Sequence, residues 1–430
     1  MLTENFLTKL KEDFEPSLNH SGIDGDRLAK RLAKLSEIGA TPEGGVNRPG
    51  FSAEEKQAKE LVKTWMQEAG LKVWEDGAGN VFGRLAGLDD ALPAIASGSH
   101  VDSVPNGGNF DGPLGVLAAL EVVEAWKETG HRPQRPFEVV IFSDEEGARF
   151  NGSLTGSMSL MGTLDIEKQL QLTDFNGDSF EEVLEKYGTS LDELKKASSH
   201  KKDIGLFVEV HIEQGKRLEK AGLPVGIVSG IAGPCWLEII FSGKAGHAGN
   251  TPMDDRKDAL VAAGEFVVAV ETFPEKVSST AVATVGKLSV HPNGVNVIPG
   301  EVSLFADIRD IYENTRDELV SLVIEKAKSI AETRGIEVSI KVNTSVKPVP
   351  IDESIRKKLE KAFQENLIEP MRLPSGAGHD SMIVGEEIPV GMIFVRSKDG
   401  ISHNPKEWSS LNDCVTSVHV LKSFVESLMV

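Results

Sequence analysis

The chain has 430 residues, and at about 150 residues per domain this length predicts two or three domains. Hydrophobic residues make up 40% of the sequence and charged residues 26%, which is typical of a globular protein with a large core. The 46 basic and 66 acidic residues give a net charge of −20, which argues against general affinity for nucleic acid or anionic membranes. The two cysteines, Cys235 and Cys414, exclude a disulfide framework and a Cys-rich zinc site, and we interpret both as core residues.

The beginning of the sequence does not resemble a targeting segment. Residues 1–17 mix charges of both signs and lack an apolar region. The longest apolar stretch, Ala259–Val270, contains Gly264 and Glu265 and is too short to span a bilayer. The sequence therefore predicts a cytoplasmic protein that does not associate with membranes.

The first half of the chain alternates between helix and strand patterns. The capping box Ser52–Glu55 predicts a helix that ends at Gly70. Ala94–Ala96 and Phe137–Phe142 are short apolar runs that predict buried strands, with a buried helix over Gly115–Trp126 between them. Strands separated by helices predict an α/β fold with a mostly parallel sheet. Such sheets bind ligands beyond the carboxyl ends of their strands, where polar residues follow both apolar runs.

From about Val225 the pattern changes to that of a second domain. The predicted elements, in order, are a strand over Cys235–Ser242, a helix over Arg256–Thr272, long strands over Ser279–Val290 and Val295–Arg309, a helix capped by Thr315–Glu318, and a strand over Glu337–Thr344. This order predicts a ferredoxin-like α+β sandwich. Since helix–strand alternation resumes after Pro350, we predict an α/β domain over residues 1–222 and 347–430, interrupted by an inserted domain over residues 223–346. Residues 164–203 are predicted to be mostly helical and peripheral.

Four stretches at predicted strand ends are rich in glycine, histidine, asparagine or acidic residues. They are GSHVDSVPNGGNFDG at 98–112, SDEEG at 143–147, EVHIEQG at 209–215 and GISHN at 400–404. Taken alone, stretch 98–112 could also be a glycine-rich turn and stretch 143–147 a solvated acidic turn. Each histidine taken alone could also be a structural residue. Together they supply three imidazoles and at least two carboxylates, which is enough to hold two divalent metal ions that share one carboxylate.

Motifs of other catalytic classes are missing from the sequence. It has no G-x-S-x-G elbow, no Walker loop and no H-E-x-x-H pair. The stretch GAGNVFG at 77–83 is one residue too long for the dinucleotide fingerprint, and we interpret it as a turn.

Six motifs, taken in chain order, resemble those of the M20 metallohydrolase superfamily. More narrowly, they are similar to its amidase/carbamoylase branch, which contains N-carbamoyl-L-amino-acid hydrolases, β-ureidopropionases and allantoate amidohydrolases. The motifs are GSHVDSVPNGGNFDGPLG, FSDEEGARF, HIEQG, GKAGHAGNTPMDDRKD, SGAGHDSM and GISHNPKEW. They extend over nearly the whole chain, and the resemblance implies a catalytic domain with an inserted domain that serves as lid and dimer interface.

The resemblance also implies roles for residues of the larger domain. The implied ligands of two divalent ions (Zn, Mn, Co or Ni) are His100, Asp111, Glu146, His211 and His403. Asp111 bridges both ions, Glu145 is the general base, and Asp102 orients His100. Exopeptidases of the superfamily commonly have a carboxylate in place of His211, so this histidine favours the amidase branch.

On the inserted domain, the resemblance implies residues that recognise the substrate. His247 is the residue that hydrogen-bonds the carbonyl oxygen as it gains charge, and dimers of the family can deliver it to the neighbouring subunit's site. Asn296 and Arg309 bind the substrate carboxylate, and Gln214 and Gly378, from outside the inserted domain, line the same pocket. A planar guanidinium suits this task because it can donate two parallel hydrogen bonds to a carboxylate. The alternative for Arg309 is a surface salt bridge.

The implied activity is hydrolysis of the ureido C–N bond of N-carbamoyl-L-amino acids to amino acid, ammonia and carbon dioxide, by a homodimer. Allantoate amidohydrolase is the alternative, because both enzymes share the metal centre and the carboxylate-binding residues. Relatives that hydrolyse allantoate tend to have a G-Q-R-like sequence where this chain has Gly233–Trp236, and this difference favours the carbamoyl amino acid. An aminoacylase or exopeptidase and a non-catalytic metal-binding protein are further alternatives.

Overall fold

The computed structural model describes residues 2–152 and 154–429. The helices are α1 Leu2–Lys11, α2 Gly25–Leu35, α3 Ala53–Glu68, α4 Pro113–Thr129, α5 Thr155–Met161, α6 Ile166–Gln169, α7 Phe180–Tyr187, α8 Leu191–Lys196, α9 Arg217–Ala221, α10 Ala259–Glu271, α11 Pro274–Val277, α12 Glu313–Arg334, α13 Glu353–Glu365, α14 Asp380–Val384 and α15 Leu411–Ser427. Short 3-10 segments are Pro16–Leu18, Ala197–Asp203, Met253–Asp255 and Lys398–Gly400. Within these ranges, no helix combines the length and apolar character that a membrane span requires.

The strands alternate with these helices along the chain. They are β1 Lys72–Glu75, β2 Val81–Leu85, β3 Ala94–His100, β4 Phe137–Phe142, β5 Ile204–Ile212, β6 Val225–Ile231, β7 Gly233–Ser242, β8 Gly246–His247, β9 Val282–His291, β10 Val297–Ile298, β11 Glu301–Asp310, β12 Glu337–Ser345, β13 Val349–Pro350, β14 Arg372–Ser375 and β15 Val390–Val395. The chain divides into two compact units, of which unit 2 comprises Ser229–Pro350 and Pro374–Gly378 and unit 1 the remaining residues.

Unit 1 contains a mixed sheet in the order β1-β2-β4-β3-β5-β15, followed by the first residues of β6. The central strands β4, β3, β5 and β15 are parallel, whereas β1, β2 and β6 run antiparallel to their neighbours. Every residue of β3, β4 and β15 is buried, because helices cover both faces of a parallel sheet. The predicted α/β fold with a mostly parallel sheet is confirmed.

Unit 2 contains an antiparallel sheet in the order β12-β7-β11-β9. The side chains of β7 alternate between buried and less buried positions, so one face of the sheet forms the core. On this face Leu237 and Ile239 lie in one cluster with Phe266 of α10 and Val323 of α12. The order β7-α10-β9-β11-α12-β12 confirms the predicted ferredoxin-like sandwich. At the end of this unit, β13 pairs with β6 through Val349–Ile231 and Pro350–Gly230.

One predicted strand of unit 2 is divided in the structure, and one predicted helix cap is different. The predicted strand Val295–Arg309 is interrupted at Pro299 and Gly300, so that β10 pairs with β8 while β11 pairs with β7 and β9. Proline has no N–H to donate to a strand ladder, which explains the break. Helix α12 begins at Glu313 with Tyr312 as its N-cap, so the predicted cap at Thr315 is wrong. The Thr315 hydroxyl instead donates to Asp310 Oδ2 at 2.6 Å.

The segment 164–203 is helical as predicted, but it is not merely peripheral. Phe180, Val183, Leu184 and Tyr187 of α7 are buried in a small core together with Phe51. The 3–4 residue spacing of these apolar side chains places them on one face of the helix. This face gives unit 1 a second hydrophobic cluster beside the acidic stretch that follows β4.

Candidate metal centre and active site

Adjacent parallel strands bring the candidate residues of unit 1 together. His100 is the last residue of β3 and is opposite Phe142, the last residue of β4, while His211 lies near the end of β5. Since parallel strands end at the same edge of a sheet, the residues at and beyond these ends converge. The acidic stretch Ser143–Glu146 follows β4 at this edge.

The first group of candidate ligands consists of His100, Asp111 and His211, which are all buried. The Oδ1 atom of Asp111 lies 3.6 Å from Nε2 of His100 and 3.2 Å from Nε2 of His211. Burial alone lowers the pKa of His211, but the Asp111 carboxylate outweighs it and raises that pKa to about 9. Two imidazoles and one carboxylate therefore face the same point.

The second group consists of Asp111, Glu146 and His403. Nε2 of His403 lies 3.6 Å from Oδ2 of Asp111 and 3.3 Å from Oε2 of Glu146. The His403 side chain is 49% exposed, so this group opens to solvent. Each oxygen of Asp111 thus faces a different group, which is the arrangement that a carboxylate bridging two cations requires.

The ring nitrogens of both buried histidines are oriented for metal binding. Nδ1 of His100 lies 3.0 Å from the carbonyl oxygen of Asp102, and Nδ1 of His211 lies 3.0 Å from the carbonyl oxygen of Ile212. Since a carbonyl oxygen only accepts, the neutral form of each ring carries its proton on Nδ1, and Nε2 then offers the electron pair that a metal ion would bind. Nε2 of His100 is buried without a hydrogen-bond partner among the described residues, so the residues present fit a divalent cation.

The Asp102 carboxylate holds the acidic stretch as well as facing His100. It accepts hydrogen bonds from the backbone N–H groups of Glu145 and Glu146 at 3.2 and 3.1 Å, and Oδ1 lies 3.4 Å from Nδ1 of His100. The ring of His100 is closer to the carbonyl of Asp102 than to its carboxylate. Asp102 therefore contacts the backbone of the acidic stretch as well as the ring of His100.

Two neighbouring carboxylates follow β4 in a buried environment. Burial raises the pKa of Glu146 to about 8, with the charge of Asp111 as a further cause. Burial likewise raises the pKa of Glu145 well above its usual range, and the nearby carboxylates of Glu146 and Asp380 add to this. Such a concentration of buried carboxylates is costly unless cations lie among them. Glu145 Oε2 lies 3.6 Å from Nε2 of His100, beside the first group of ligands.

Sequence reasoning missed the residues that form hydrogen bonds with Ser143 and Asp144 at the start of the acidic stretch. Asn80 Oδ1 accepts a hydrogen bond from the N–H of Ser143 at 3.0 Å, and Lys59 Nζ donates to the Ser143 hydroxyl at 2.7 Å. Asp144 has a φ of 52°, a left-handed conformation that its Oδ2 helps to hold by accepting from the Thr155 hydroxyl at 2.6 Å. The two contacts of Ser143 connect segments 63 and 84 residues apart in the sequence, and no local motif reveals them.

Sequence reasoning also assigned no role to Glu209 and His379, which form a third acidic–histidine group with His211. Both oxygens of Glu209 accept hydrogen bonds, from the Ser99 hydroxyl at 2.8 Å and the Ser381 hydroxyl at 2.7 Å. The ring of His379 packs against that of His211, with centroids 4.4 Å apart. We interpret this group as packing that supports His211. The only sequence signal was the position of these residues within the EVHIEQG and SGAGHDSM motifs.

Gln214 contacts a candidate metal ligand directly. Its Nε2 donates to Oδ2 of Asp111 at 2.8 Å, and the Ser402 hydroxyl donates to the same oxygen at 2.6 Å. Gln214 was predicted to line the substrate pocket, and the structure places it beside the second group of ligands.

The remaining predicted residues, His247, Asn296, Arg309 and Gly378, lie in unit 2. Nδ1 of His247 accepts from the N–H groups of Gly249 and Asn250 at 3.0 and 3.2 Å, so the neutral ring carries its proton on Nε2. The N–H of Ala248 donates to the carbonyl of Asn296, which brings Asn296 close to His247. Arg309 donates to Asp307 Oδ2 at 2.8 Å and to the Gly376 carbonyl at 2.7 Å. Gly378 follows β14 and is exposed.

The model of the peptidase family M20/M25/M40 matches residues 96–427 of this chain. The chain belongs to this family. It is 44% identical over 399 residues to the N-carbamoyl-L-amino acid amidohydrolase of Geobacillus stearothermophilus, covering 93% of this chain and 97% of that one. It is 35% identical over 394 residues to the allantoate amidohydrolase of Bacillus subtilis, covering 92% of this chain and 95% of that one.

A solved structure with the same fold is an amidase of the hydantoinase/carbamoylase family from Burkholderia multivorans. The two chains are 34% identical with a TM-score of 0.87, over 95% of this chain and 98% of that one. The predicted membership of the amidase/carbamoylase branch of the M20 family is thus confirmed, and the chain is a hydrolase.

Proposed function

We propose that this M20 family member hydrolyses the ureido C–N bond of N-carbamoyl-L-amino acids, giving the amino acid, ammonia and carbon dioxide. The observation that carries this proposal is the position of Asp111 between two groups of candidate ligands, with Glu145 beside the first group. The 44% identity to an N-carbamoyl-L-amino acid amidohydrolase supports the choice of substrate.

The proposed cofactor is a pair of divalent metal ions, either Zn, Mn, Co or Ni. His100 and His211 would hold one ion, Glu146 and His403 the other, and Asp111 both, because these are the atoms that face one another. Ions at such a site lower the pKa of water toward about 7 and polarise a carbonyl oxygen.

Glu145 is the proposed general base. Its carboxylate is buried at the edge of the ligand groups without belonging to either, so it stays available for proton transfer. It would accept a proton from the attacking water and return it to the departing nitrogen. Asp102 fixes the backbone of Glu145 by accepting its N–H, which keeps the carboxylate in place during both steps.

The residues of unit 2 are proposed to bind the substrate. Nε2 of His247 would donate to the carbonyl oxygen as charge develops there. Asn296 and Arg309 would bind the substrate carboxylate, with Arg309 exchanging its contact with Asp307 for the substrate. We further propose that residues 223–346 act as a lid and as the interface of a cytoplasmic homodimer, and that residues 1–222 and 347–430 form the catalytic domain.

Replacing Arg309 with lysine tests the carboxylate-binding role. Lysine keeps the charge but cannot donate two parallel hydrogen bonds, and a charge-assisted hydrogen bond contributes about 1.5–3 kcal/mol. We expect KM for the carbamoyl amino acid to rise by about 10–100-fold, measured by steady-state kinetics. Arg334→Lys is the matched control, since Arg334 also pairs with an acidic residue of unit 2, Glu265, and its KM should stay unchanged. An unaltered KM in Arg309→Lys would contradict the role.

Allantoate is the second candidate substrate, supported by the identity of 35% to an allantoate amidohydrolase. Its second ureido arm suits an additional arginine, and this chain has Gly233, Pro234, Cys235 and Trp236 where allantoate-hydrolysing relatives tend to have G-Q-R. In the structure Cys235 is buried and Trp236 is 43% exposed, so this part of β7 presents an indole rather than a guanidinium. We therefore favour the carbamoyl amino acid.

A substrate panel on metal-reconstituted protein tests the proposed function. The protein is dialysed against a chelator, reloaded separately with Mn, Co, Ni or Zn, and assayed on N-carbamoyl-L-methionine, allantoate, ureidoglycolate, N-acetyl-L-methionine and a dipeptide. We expect the highest kcat/KM on the carbamoyl compound, loss of turnover in the apoprotein, and recovery on adding metal. Preference for allantoate would establish the second candidate, and turnover that is unaffected by the chelator would overturn the metal-dependent mechanism.

A further inference from the structure

Glu407 is a buried carboxylate that no role described so far requires. The residue is 3% exposed, and Oε1 accepts hydrogen bonds from the backbone N–H groups of Phe110 and Asp111 at 2.9 and 3.1 Å. A carboxylate is seldom buried without such partners, since an unpaired charge in a protein interior is costly. Glu407 therefore binds the backbone of the loop that supplies the bridging ligand.

The other oxygen of Glu407 faces the loop that carries His403. Oε2 of Glu407 lies 3.1 Å from the hydroxyl of Ser402, and the same hydroxyl lies 2.6 Å from Oδ2 of Asp111. Ser402 is thus situated between two carboxylates, directly before His403 in the chain. Glu407 itself is four residues after His403, so the loop that carries Asp111 and the loop that carries His403 meet at its carboxyl group.

The backbone opposite Glu407 is shaped to receive the carboxyl group. A Cβ atom added to Gly108 would lie 2.0 Å from the carboxyl carbon of Glu407, a distance that any side chain at position 108 would have to relieve by displacing the carboxylate. Gly108 therefore permits a close approach between the loop before Asp111 and Glu407. The close packing of Gly108 is independent of the hydrogen bonds, and it supports the same contact between Glu407 and the Asp111 loop.

The loop that carries Asp111 and the loop that carries His403 are far apart in the sequence. Asp111 and Glu407 are 296 residues apart in sequence, so the distance between Asp111 and His403 depends on tertiary contacts alone. Metal ions accept only small errors in ligand position, and residues that hold the ligands commonly change metal affinity by about 10–100-fold when mutated.

We propose that Glu407 is a positioning residue of the metal centre, which joins the Asp111 loop to the His403 loop at the spacing that a divalent ion requires. The proposal rests on the proposed function, because it takes Asp111 and His403 as ligands. Glu407 acts through these two residues and not on the substrate.

Titration of the full-length apoprotein with Co²⁺, followed by calorimetry and by visible absorption, tests the proposal. Glu407→Ala should weaken binding of at least one ion by about 10–100-fold. Glu407→Gln should retain most of the affinity, because its amide oxygen can still accept from both N–H groups. Gly108→Ala should weaken binding as Glu407→Ala does, since its methyl group displaces the carboxylate while leaving it in the protein.

The matched control is Glu121→Gln. Glu121 is also a fully buried carboxylate of unit 1 that accepts a backbone N–H, from Asp24 at 2.8 Å, but it contacts none of the candidate ligands in its hydrogen bonds. Its Co²⁺ affinity should equal that of the wild type even where its thermal midpoint falls. If Glu407→Ala does not fold, Gly108→Ala and Glu407→Gln give the result.

Co²⁺ affinities of folded Glu407→Ala or Gly108→Ala within threefold of wild type would overturn the positioning role. So would an equal loss in Glu121→Gln, which would show that any buried-charge change has this effect. Failure of the proposed function is seen separately, as absence of ureido hydrolysis by wild-type protein in the substrate panel. The metal titration uses no substrate and is independent of that outcome.

Discussion

Replacing Glu145 with glutamine is expected to lower kcat by about 10²–10⁴-fold, the range in which a general base contributes to catalysis. Glutamine has nearly the shape of glutamate but cannot accept a proton from water. Since Glu145 belongs to neither group of candidate ligands, the variant should bind the metal ions as the wild type does.

Metal content and turnover are measured on the same preparations, by elemental analysis and by release of the amino acid. Glu146→Gln is the contrasting variant, because Glu146 lies 3.3 Å from His403 within the second ligand group. It should lose metal along with activity. Near-wild-type turnover in metal-loaded Glu145→Gln would show that another group takes the proton.

Replacing Lys59 with methionine is expected to destabilise the protein by about 3–5 kcal/mol, the cost of removing one partner of a buried ion pair. The Lys59 and Glu55 side chains are 1% and 0% exposed, with Nζ and Oε1 2.7 Å apart. Nζ also donates to the Ser143 hydroxyl at 2.7 Å and to the Tyr187 hydroxyl at 3.2 Å. The variant therefore leaves a buried carboxylate and two hydroxyl groups without their partner.

Urea unfolding followed by fluorescence measures this effect. The double variant Glu55→Gln/Lys59→Met should regain part of the lost stability, because it removes the Glu55 charge that is left buried and unpaired in Lys59→Met. Lys63→Met is the matched control on the same helix, since the Lys63–Glu60 pair is partly exposed and pairs of that kind contribute about 0–1 kcal/mol. Equal losses in Lys59→Met and Lys63→Met would contradict the argument.

Much of the site could be predicted from sequence because its residues lie at the ends of recognisable strands. His100 ends an apolar run and the acidic stretch follows another, and parallel strands that end together bring such residues to one edge. The ferredoxin-like order of unit 2 was predictable for a similar reason, since its hydrophobic alternation and helix periodicity are strong local signals. The structure brings His100, Asp111 and His211 into one group and Asp111, Glu146 and His403 into another, and their roles as metal ligands stay a prediction.

The residues that sequence reasoning missed all act through distant partners. Lys59 reaches Ser143 from a helix 84 residues earlier, and Glu407 reaches Phe110 across 297 residues. Nothing local distinguishes Lys59 from the other charged residues of its helix, and the GISHNPKEW motif contains Glu407 without showing which loop it contacts. At Pro299 and Thr315 a local pattern gave a wrong prediction. The predicted continuous strand is divided at Pro299, where β10 pairs with β8. The predicted cap residue Thr315 instead donates a hydrogen bond to Asp310.

The pairing of β6 with β13 places the two ends of the intervening segment side by side, with Ile231 opposite Val349 and Gly230 opposite Pro350. An antiparallel pair can be closed by a turn of two residues. The segment between Ile231 and Val349 could therefore be replaced by a tight turn that joins β6 to β13, without stretching the backbone of either strand. Such a shortened protein would keep every proposed ligand while lacking His247, Asn296 and Arg309, and would separate cation capture from substrate recognition.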